Sequence, residues 1–113
     1  MEPMTRVYLL NDEGERFFGD GPCRLLRAVE ETGSLRAAAN SMGMAYTKAL
    51  KMLKRAEQAV GCPLTTRAVG GKSGGGSQLT SEGKELLAKY EKYRELCSQA
   101  NRKIYRQVFL AER

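Results

Sequence analysis

The sequence predicts an α+β fold in which helices form the core and two short β-hairpins flank them. Residues 5–20 contain two short strand-like runs on either side of a turn, which is the pattern of a β-hairpin. Residues 34–60 show two helical patterns separated by a glycine, and apolar residues recur at heptad spacing towards the C-terminus. Together these patterns indicate one small domain.

The composition limits the class of protein before any motif is considered. The 113 residues are 42% hydrophobic, enough for one core but marginal without a partner chain. No apolar run reaches the roughly 18 residues of a membrane-spanning helix, and the N-terminus lacks the pattern of a signal peptide. We therefore expect a cytoplasmic protein with no membrane contact.

Cysteine and histidine usage excludes most catalytic chemistry. Cys23, Cys62 and Cys97 are odd in number and far apart, so they form neither a disulfide framework nor a zinc-binding pair. The chain has no histidine, which excludes Ser-His-Asp and Cys-His mechanisms. We expect no enzyme activity, no metal and no cofactor. Redox sensing by Cys23 or Cys62 is a minor alternative, because nothing in the sequence marks either thiol as reactive.

Two strands are predicted near the N-terminus, Val7–Leu10 and Arg16–Phe18, joined by a turn at Asn11–Gly14. A Gly-Pro pair at positions 21 and 22 then opens the first helix, where proline is tolerated because its missing N–H would have no partner. We expect this helix to end at Gly33. The residues that it should point into the core are Leu25, Leu26 and Val29.

The rest of the chain is organised around residues 34–60. Ser34 is the predicted N-cap of a short helix whose alanine run, 37–39, lets another helix approach closely. Gly43 supplies a break with φ > 0, and a second helix is predicted to begin at Ala45. Two helices joined by such a short glycine-containing turn are typical of a helix-turn-helix.

The second helix has two different faces on a helical wheel. Its apolar stripe consists of Ala45, Ala49, Met52, Leu53, Ala56 and Val60. The opposite face carries Thr47, Lys48, Lys51, Lys54, Arg55 and Gln58. Lysines on a helix are often only its solvated side, so the charge of the wider segment has to decide whether this face binds a ligand.

The basic charge of the chain is confined to one segment. Between residues 34 and 80, seven basic residues stand against one acid, Glu57, for a net charge of +6. The whole chain is also +6, so the other 12 basic and 12 acidic residues cancel. A merely solvated surface would mix both signs, whereas a field confined to one segment is what phosphate binding requires.

A glycine-rich segment, residues 64–80, follows the second helix and is called the wing. Strand-like residues flank a loop that holds five glycines and Lys72, which predicts a hairpin whose tip approaches phosphates or a minor groove. Glycine and serine alone would also be typical of a linker. The loop contains Gly-Lys-Ser, but a nucleotide-binding P-loop needs a glycine where Thr66 stands, so ATP or GTP binding is not expected.

The last predicted helix spans residues 81–109, with Thr80 or Ser81 as its cap. Its apolar residues recur at intervals of 4, 3, 4, 3 and 4: Leu86, Tyr90, Tyr93, Cys97, Ala100 and Ile104. A helix of this length extends roughly 40 Å, more than so small a core can cover. We therefore expect this seam to form part of a homodimer interface. The alternative is that it packs wholly on the chain's own first helix.

Three strings carry a resemblance to a known family. GSLRAAANSMGMAY lies in the helix-turn-helix, GCPLTTR closes its second helix, and RAVGGKSGGGSQLTSEG contains the wing loop. Over residues 5 to about 95 the chain resembles the winged-helix DNA-binding domain of the ModE family of molybdenum-dependent regulators, which is related to the LysR-type regulators. It departs from the family pattern at Ala45, where a capping serine is usual. The family's ligand-binding C-terminal half is expected to be absent, so no molybdate ligand is inferred and any effector stays unknown.

The patterns and the resemblance predict a winged helix-turn-helix over residues 1–113 that acts as a homodimeric, sequence-specific transcription regulator on double-stranded DNA. Thr47, Lys48 and Lys51 would reach base edges, and Tyr46 would stack or bind a phosphate. The full set expected to contact DNA is Arg36, Ala45, Tyr46, Thr47, Lys48, Lys51, Lys54, Arg55, Arg67, Lys72 and Ser73. The alternative is a protein-interaction module whose basic face binds an acidic partner.

Overall fold

The computed structural model describes residues 1–67 and 76–111. Its elements are β1 Leu9–Leu10, β2 Arg16–Phe18, α1 Asp20–Thr32, α2 Leu35–Ser41, α3 Tyr46–Val60, β3 Thr65–Arg67, β4 Ser77–Leu79 and α4 Ser81–Phe109. β1 and β2 form one antiparallel hairpin, and β3 and β4 form a second. The predicted α+β class, with two hairpins and a long C-terminal helix, is confirmed.

The residues predicted to cap and to separate the two helices of the helix-turn-helix have these roles in the structure. The Ser34 hydroxyl accepts a hydrogen bond from the Ala37 N–H at 3.1 Å, which satisfies a free donor at the start of α2. Gly43 adopts φ 63°, a left-handed conformation, between α2 and α3. The Met44 N–H then donates to the Ala39 carbonyl at 2.9 Å, which ties the turn back onto α2.

The core lies between α1 and the helices that surround it. The three α1 residues predicted to point inward are buried: Leu25, Leu26 and Val29. The buried residues of α3 are Ala49, Leu53 and Ala56. Ala45 and Val60, which the helical wheel placed on the same stripe, are exposed because they stand at the two ends of α3.

The N-terminal hairpin is shorter than predicted. β1 contains only Leu9 and Leu10 and is irregular in register against β2. Val7 lies outside the strand, and its carbonyl accepts a hydrogen bond from the Tyr90 hydroxyl of α4 at 2.8 Å. α1 also begins one residue earlier than predicted, at Asp20, which places the proline of the Gly-Pro pair in the first helical turn.

The first half of α4 is anchored to the core by Tyr90. This side chain is only 1% exposed, and its ring meets that of Phe18 edge-on with 5.0 Å between centroids. Its hydroxyl also contacts Asp20, which forms a salt bridge of 2.9 Å with Arg94. Because Tyr90 is enclosed by its own chain, the structure removes it from the predicted dimer seam.

The second half of α4 extends away from the core, and the N-terminal segment runs beside it. The Asn101 amide donates to the Thr5 hydroxyl, and the Tyr105 hydroxyl donates to the Met1 carbonyl at 3.0 Å. The helix has 29 residues, which corresponds to about 43 Å at 1.5 Å per residue. Within residues 1–67 and 76–111, no helix combines the length and apolarity needed to cross a membrane.

Candidate nucleic-acid interface

One face of α3 carries four basic side chains that are open to solvent: Lys48, Lys51, Lys54 and Arg55. Among the residues that the structure describes, none of the four forms a salt bridge with a carboxylate. Thr47 is exposed beside them in the first turn of the helix. A row of unneutralised cations on one helix face is suited to binding a phosphate backbone.

The only acid in the basic segment is engaged in a turn. Glu57 accepts a hydrogen bond on Oε2 from the Leu64 N–H at 2.8 Å, where the chain passes from α3 to β3. Gly61 makes this turn possible by adopting φ 79° at the end of α3. In the described part of the chain, Glu57 makes no ion pair with the lysines of α3.

Tyr46 of α3 contacts basic residues from two other elements, α2 and β3. The Arg36 guanidinium of α2 lies 4.3 Å from the centre of the Tyr46 ring, within the range of a cation–π interaction. The Tyr46 hydroxyl accepts a hydrogen bond from Nη2 of Arg67, in β3, at 2.6 Å. Tyr46 therefore positions two of the predicted DNA contacts, which the sequence did not predict because the partners are far apart along the chain.

The start of α3 offers backbone donors. Ala45 is its N-cap residue, and within the described residues no side chain caps the helix there. The free N–H groups and the positive end of the helix dipole favour an anion at such a position. Ala45 lines a depression between α2 and α3 together with Arg36 and Tyr46. Its contribution to this surface is therefore its backbone.

The base of the wing is fixed under the first turn of α4. Strand β3 begins at Thr65, one residue later than predicted, and Leu64 before it is buried. A Cβ atom at Gly83 would lie 2.2 Å from the Leu64 carbonyl oxygen, so only glycine fits this approach. Lys72 and Ser73 lie outside the described residues, and their DNA contacts stay predictions.

The remaining seam residues of α4 differ in exposure. Leu86 packs against the core and Cys97 is half-buried. Tyr93 and Ile104 are 52% and 56% exposed, and Ala100 is exposed between them. Leu96 and Val108, which heptad counting missed because they lie to either side of its line, widen this exposed surface. We call the exposed set the α4 stripe: Tyr93, Leu96, Ala100, Ile104 and Val108.

The buried thiol gives no support to redox sensing. Cys23 is 3% exposed, and burial raises the pKa of its thiol above the ordinary value. A thiol with a raised pKa stays protonated at neutral pH and is a poor nucleophile.

A helix-turn-helix with a cationic second helix and a hairpin at its side defines the winged helix-turn-helix class of DNA-binding domains. The chain belongs to the lysR family of bacterial regulatory helix-turn-helix proteins, whose family model matches residues 23–84. This family is one of transcriptional regulators, which confirms that the chain is not an enzyme.

Two relatives confirm the predicted resemblance. The chain is 41% identical over 86 residues to the molybdenum-pterin-binding protein MopB of Rhodobacter capsulatus, covering 76% of this chain and 32% of that protein. It is 34% identical over 87 residues to the molybdenum transport protein ModE of Azotobacter vinelandii, covering 77% and 32%. The chain thus spans about a third of the length of these relatives.

Two solved structures share the fold. The CbnR_DBD–DNA complex aligns with a TM-score of 0.57 at 22% identity, over 71% of this chain and 86% of that one. ArgP from Mycobacterium tuberculosis aligns with a TM-score of 0.54 at 32% identity, over 72% and 29%. The family match, the relatives and these folds together identify the chain as carrying the DNA-binding helix-turn-helix domain of a transcriptional regulator.

Proposed function

We propose that the chain binds double-stranded DNA as a homodimer in the cytoplasm and regulates transcription by recognising an inverted repeat. α3 lies in the major groove, and the wing holds the flanking backbone. The observation that carries this proposal is the face of α3 with four exposed cations and, among the described residues, no carboxylate partner.

The position of each side chain on α3 divides the DNA contacts into two groups. The first turns of a recognition helix enter deepest into the groove, so Thr47, Lys48 and Lys51 contact base edges. Lys54 and Arg55 lie one turn further along and contact phosphates. Base contacts select the sequence, whereas phosphate contacts fix the register of the protein on the duplex.

Arg36 and Arg67 hold phosphates on the two sides of α3. Tyr46 restrains both, through its ring and its hydroxyl. A side chain that is held before binding loses less conformational entropy when the complex forms. This restraint makes the two arginines stronger phosphate contacts than freely moving side chains would be.

The α4 stripe joins two copies of the chain. Its residues share one side of the helix, and its large side chains are half exposed or more. A helix pair related by a two-fold axis buries the same residues of both copies against each other, which suits an apolar stripe of this kind. The two copies of α3 are then related by the same axis, and this symmetry requires an inverted repeat in the DNA.

The proposal includes no molybdenum ligand. MopB and ModE are named for molybdenum, but the matched region is about a third of their length.

The salt dependence of duplex binding tests DNA as the ligand. If each chain of the dimer neutralises about five phosphates, about ten in all, log K should fall with log salt concentration at a slope of about −9. The matched competitor is poly-glutamate, which carries negative charge but presents no groove. An affinity that does not change between low and moderate salt contradicts the proposal. So does duplex binding no tighter than poly-glutamate binding, which would instead favour an acidic protein partner.

Selection from a pool of random duplexes tests the symmetry. The enriched sequences should contain an inverted repeat with half-sites about 34 Å apart, one helical turn, or a multiple of this distance. Enrichment of a single half-site would contradict the homodimer while leaving DNA binding in place.

A further inference from the structure

A cleft of about 320 Å³ opens between the first hairpin, the start of α1 and one flank of α3. Small-molecule sites begin at roughly this size, about 300 Å³. Its apolar lining includes Tyr8, Phe17, Phe18, Pro22 and Met52. Its cationic lining consists of Arg16, Lys48, Lys51 and Arg55.

The four cations that line the cleft favour a negatively charged ligand. No carboxylate lines the described walls of the cleft. Within residues 1–67 and 76–111, none of its four cations forms a salt bridge. The Arg16 guanidinium instead rests 4.1 Å from the centre of the Tyr8 ring. An anion that entered the cleft would therefore meet several cations with no acid to displace.

The apolar lining of the cleft favours a ligand with a flat hydrophobic group next to its negative charge. Tyr8 is 40% exposed and lies directly on the backbone of Gly19, where a Cβ atom would be 2.7 Å from Cδ1 of the ring. A Cβ atom at Gly21 would lie 3.4 Å from Cε of Met52, which is an ordinary contact distance. Because Gly19 has no side chain, the Tyr8 ring lies against the backbone as one wall of the cleft, and Met52 forms part of another.

We propose that this cleft binds a small aromatic carboxylate and that its occupancy weakens DNA binding. The ring of the ligand lies against Tyr8 and Met52, and its carboxylate is held by Arg16 and the cations of α3. The second half of the proposal rests on the proposed function, because Lys48 and Lys51 cannot serve the carboxylate and the DNA at once. The coupling is reciprocal, so DNA must weaken binding of the carboxylate by the same factor.

A DNA backbone is a poorer occupant for this cleft than a small molecule. Phosphates and sugars gain little from an aromatic wall, whereas ligand sites typically combine apolar walls with a few convergent polar groups. Of the cleft's cations, Arg16 lies on β2 and outside the predicted DNA contacts, so its role can be separated from theirs.

The test uses 2-naphthoate as the probe and neutral 2-naphthamide as its matched control, added to the full chain without DNA and followed by NMR. 2-Naphthoate should bind with a Kd of about 1 mM or below, and the amide at least about tenfold more weakly. Tyr8→Leu should weaken 2-naphthoate about tenfold with no change in charge. Arg16→Gln should weaken 2-naphthoate but leave the amide unchanged. Equal binding of the two probes, or full binding by Tyr8→Leu with a native spectrum, would overturn the site.

The regulatory half is tested by titrating duplex DNA into protein saturated with 2-naphthoate. Wild-type affinity for DNA should fall about tenfold, and Tyr8→Leu, whose own DNA affinity stays within about twofold of wild type, should resist this change. An unchanged wild-type affinity overturns the regulation but not the site. If the wild type binds no 2-naphthoate and Tyr8→Leu has a much lower affinity for DNA, then the cleft contacts the duplex and the proposal is wrong. Binding of 2-naphthoate by a chain that binds no duplex overturns the proposed function and leaves the site standing.

Discussion

α3 and α4 are both rich in basic residues, but they leave different groups exposed. On α4, Lys89 pairs with Glu85 at 2.6 Å, and Arg94 pairs with Asp20 at 2.9 Å. Arg102 approaches Glu95 at 3.9 Å along the same helix. Among the described residues, no such pair neutralises a cation of α3.

The two helices differ in what surrounds their basic residues: α3 has a single acid, Glu57, whereas α4 mixes acids with its cations and adds an apolar stripe. α3 keeps its charges free and is suited to a polyanion. α4 carries four acids beside its seven basic residues, pairs three of these cations with carboxylates, and exposes the α4 stripe, which is suited to a second apolar surface. The two helices can therefore be tested by separate substitutions.

The largest expected effect comes from charging the α4 stripe. Tyr93→Asp combined with Ile104→Asp would place like charges in the interface, and the dimer should dissociate. Loss of the second half-site should lower the affinity for a full DNA site by about 100-fold or more, since linked sites gain from effective concentration. Sedimentation and binding to half-sites and full sites measure both consequences.

The control for this variant combines Ala88→Asp with Gln99→Asp, two exposed positions of α4 outside the stripe. It adds the same charge to the same helix and should remain dimeric. An unchanged dimer mass in the stripe variant, or a wild type that binds half-sites and full sites equally, means that the stripe does not join two chains.

Lys51→Ala on α3 should have the next largest effect. Loss of a base contact should cost about 1–3 kcal/mol on the preferred site and change which base is preferred there. Lys54→Ala should instead weaken all sequences about equally. Lys89→Ala on α4 is the matched control, because its charge is already paired. Identical effects of the two α3 substitutions on preferred and random duplexes would contradict the division between base and phosphate contacts.

The contribution of Tyr90, which anchors α4 to the core, should be visible as a loss of stability at alkaline pH. Burial, reinforced by Asp20, raises the pKa of Tyr90 to about 12. An exposed phenol has a pKa of about 10, so stability is complete below pH 10 and is lost as pH rises towards 12, by up to roughly 2.7 kcal/mol. Tyr90→Phe should cost about 1 kcal/mol at neutral pH through its lost hydrogen bonds and should flatten this alkaline loss. Urea unfolding at several pH values measures it, and parallel curves for both proteins would contradict the prediction.

The smallest expected effect is at the junction of α2, α3 and the wing. Tyr46→Phe keeps the ring under Arg36 but removes the hydroxyl that holds Arg67. DNA affinity should fall only about two- to fivefold, in line with the roughly 0.5–1 kcal/mol of one lost hydrogen bond. Tyr46→Leu removes both restraints and should cost more. Equal affinities for the two variants, measured by fluorescence anisotropy, would show that the ring does not position Arg36.

The sequence predicted best what depends on near neighbours. The Ser34 cap, the Gly43 turn and the end of α1 at Gly33 each involve residues within four positions of each other, and all three were predicted correctly. Tyr90 was misplaced because heptad spacing reports the period of a helix and not which face meets the chain's own hairpin.

Side-chain contacts between elements that are far apart along the chain could not be predicted from the sequence. The contacts of Tyr46 with Arg36 and Arg67 require α2, α3 and β3 to be placed together first. The cleft beside Tyr8 likewise exists only once the first hairpin lies against the flank of α3. The charge segment 34–80 predicted a cationic face, and the basic residues of α3 are exposed, but it could not show which cations share a neighbour.

Gly83 fixes the direction in which α4, the helix of the proposed dimer interface, leaves the core. The backbone of Gly83 lies close to Leu64, and the helix extends about 40 Å beyond this contact. Any side chain at residue 83 would tilt α4 away from Leu64, and the far end of the helix would move further than the near end. In the proposed dimer, this tilt would change the distance between the two copies of α3. In the proposed dimer, the accepted half-site spacing would therefore depend on the absence of a side chain at residue 83.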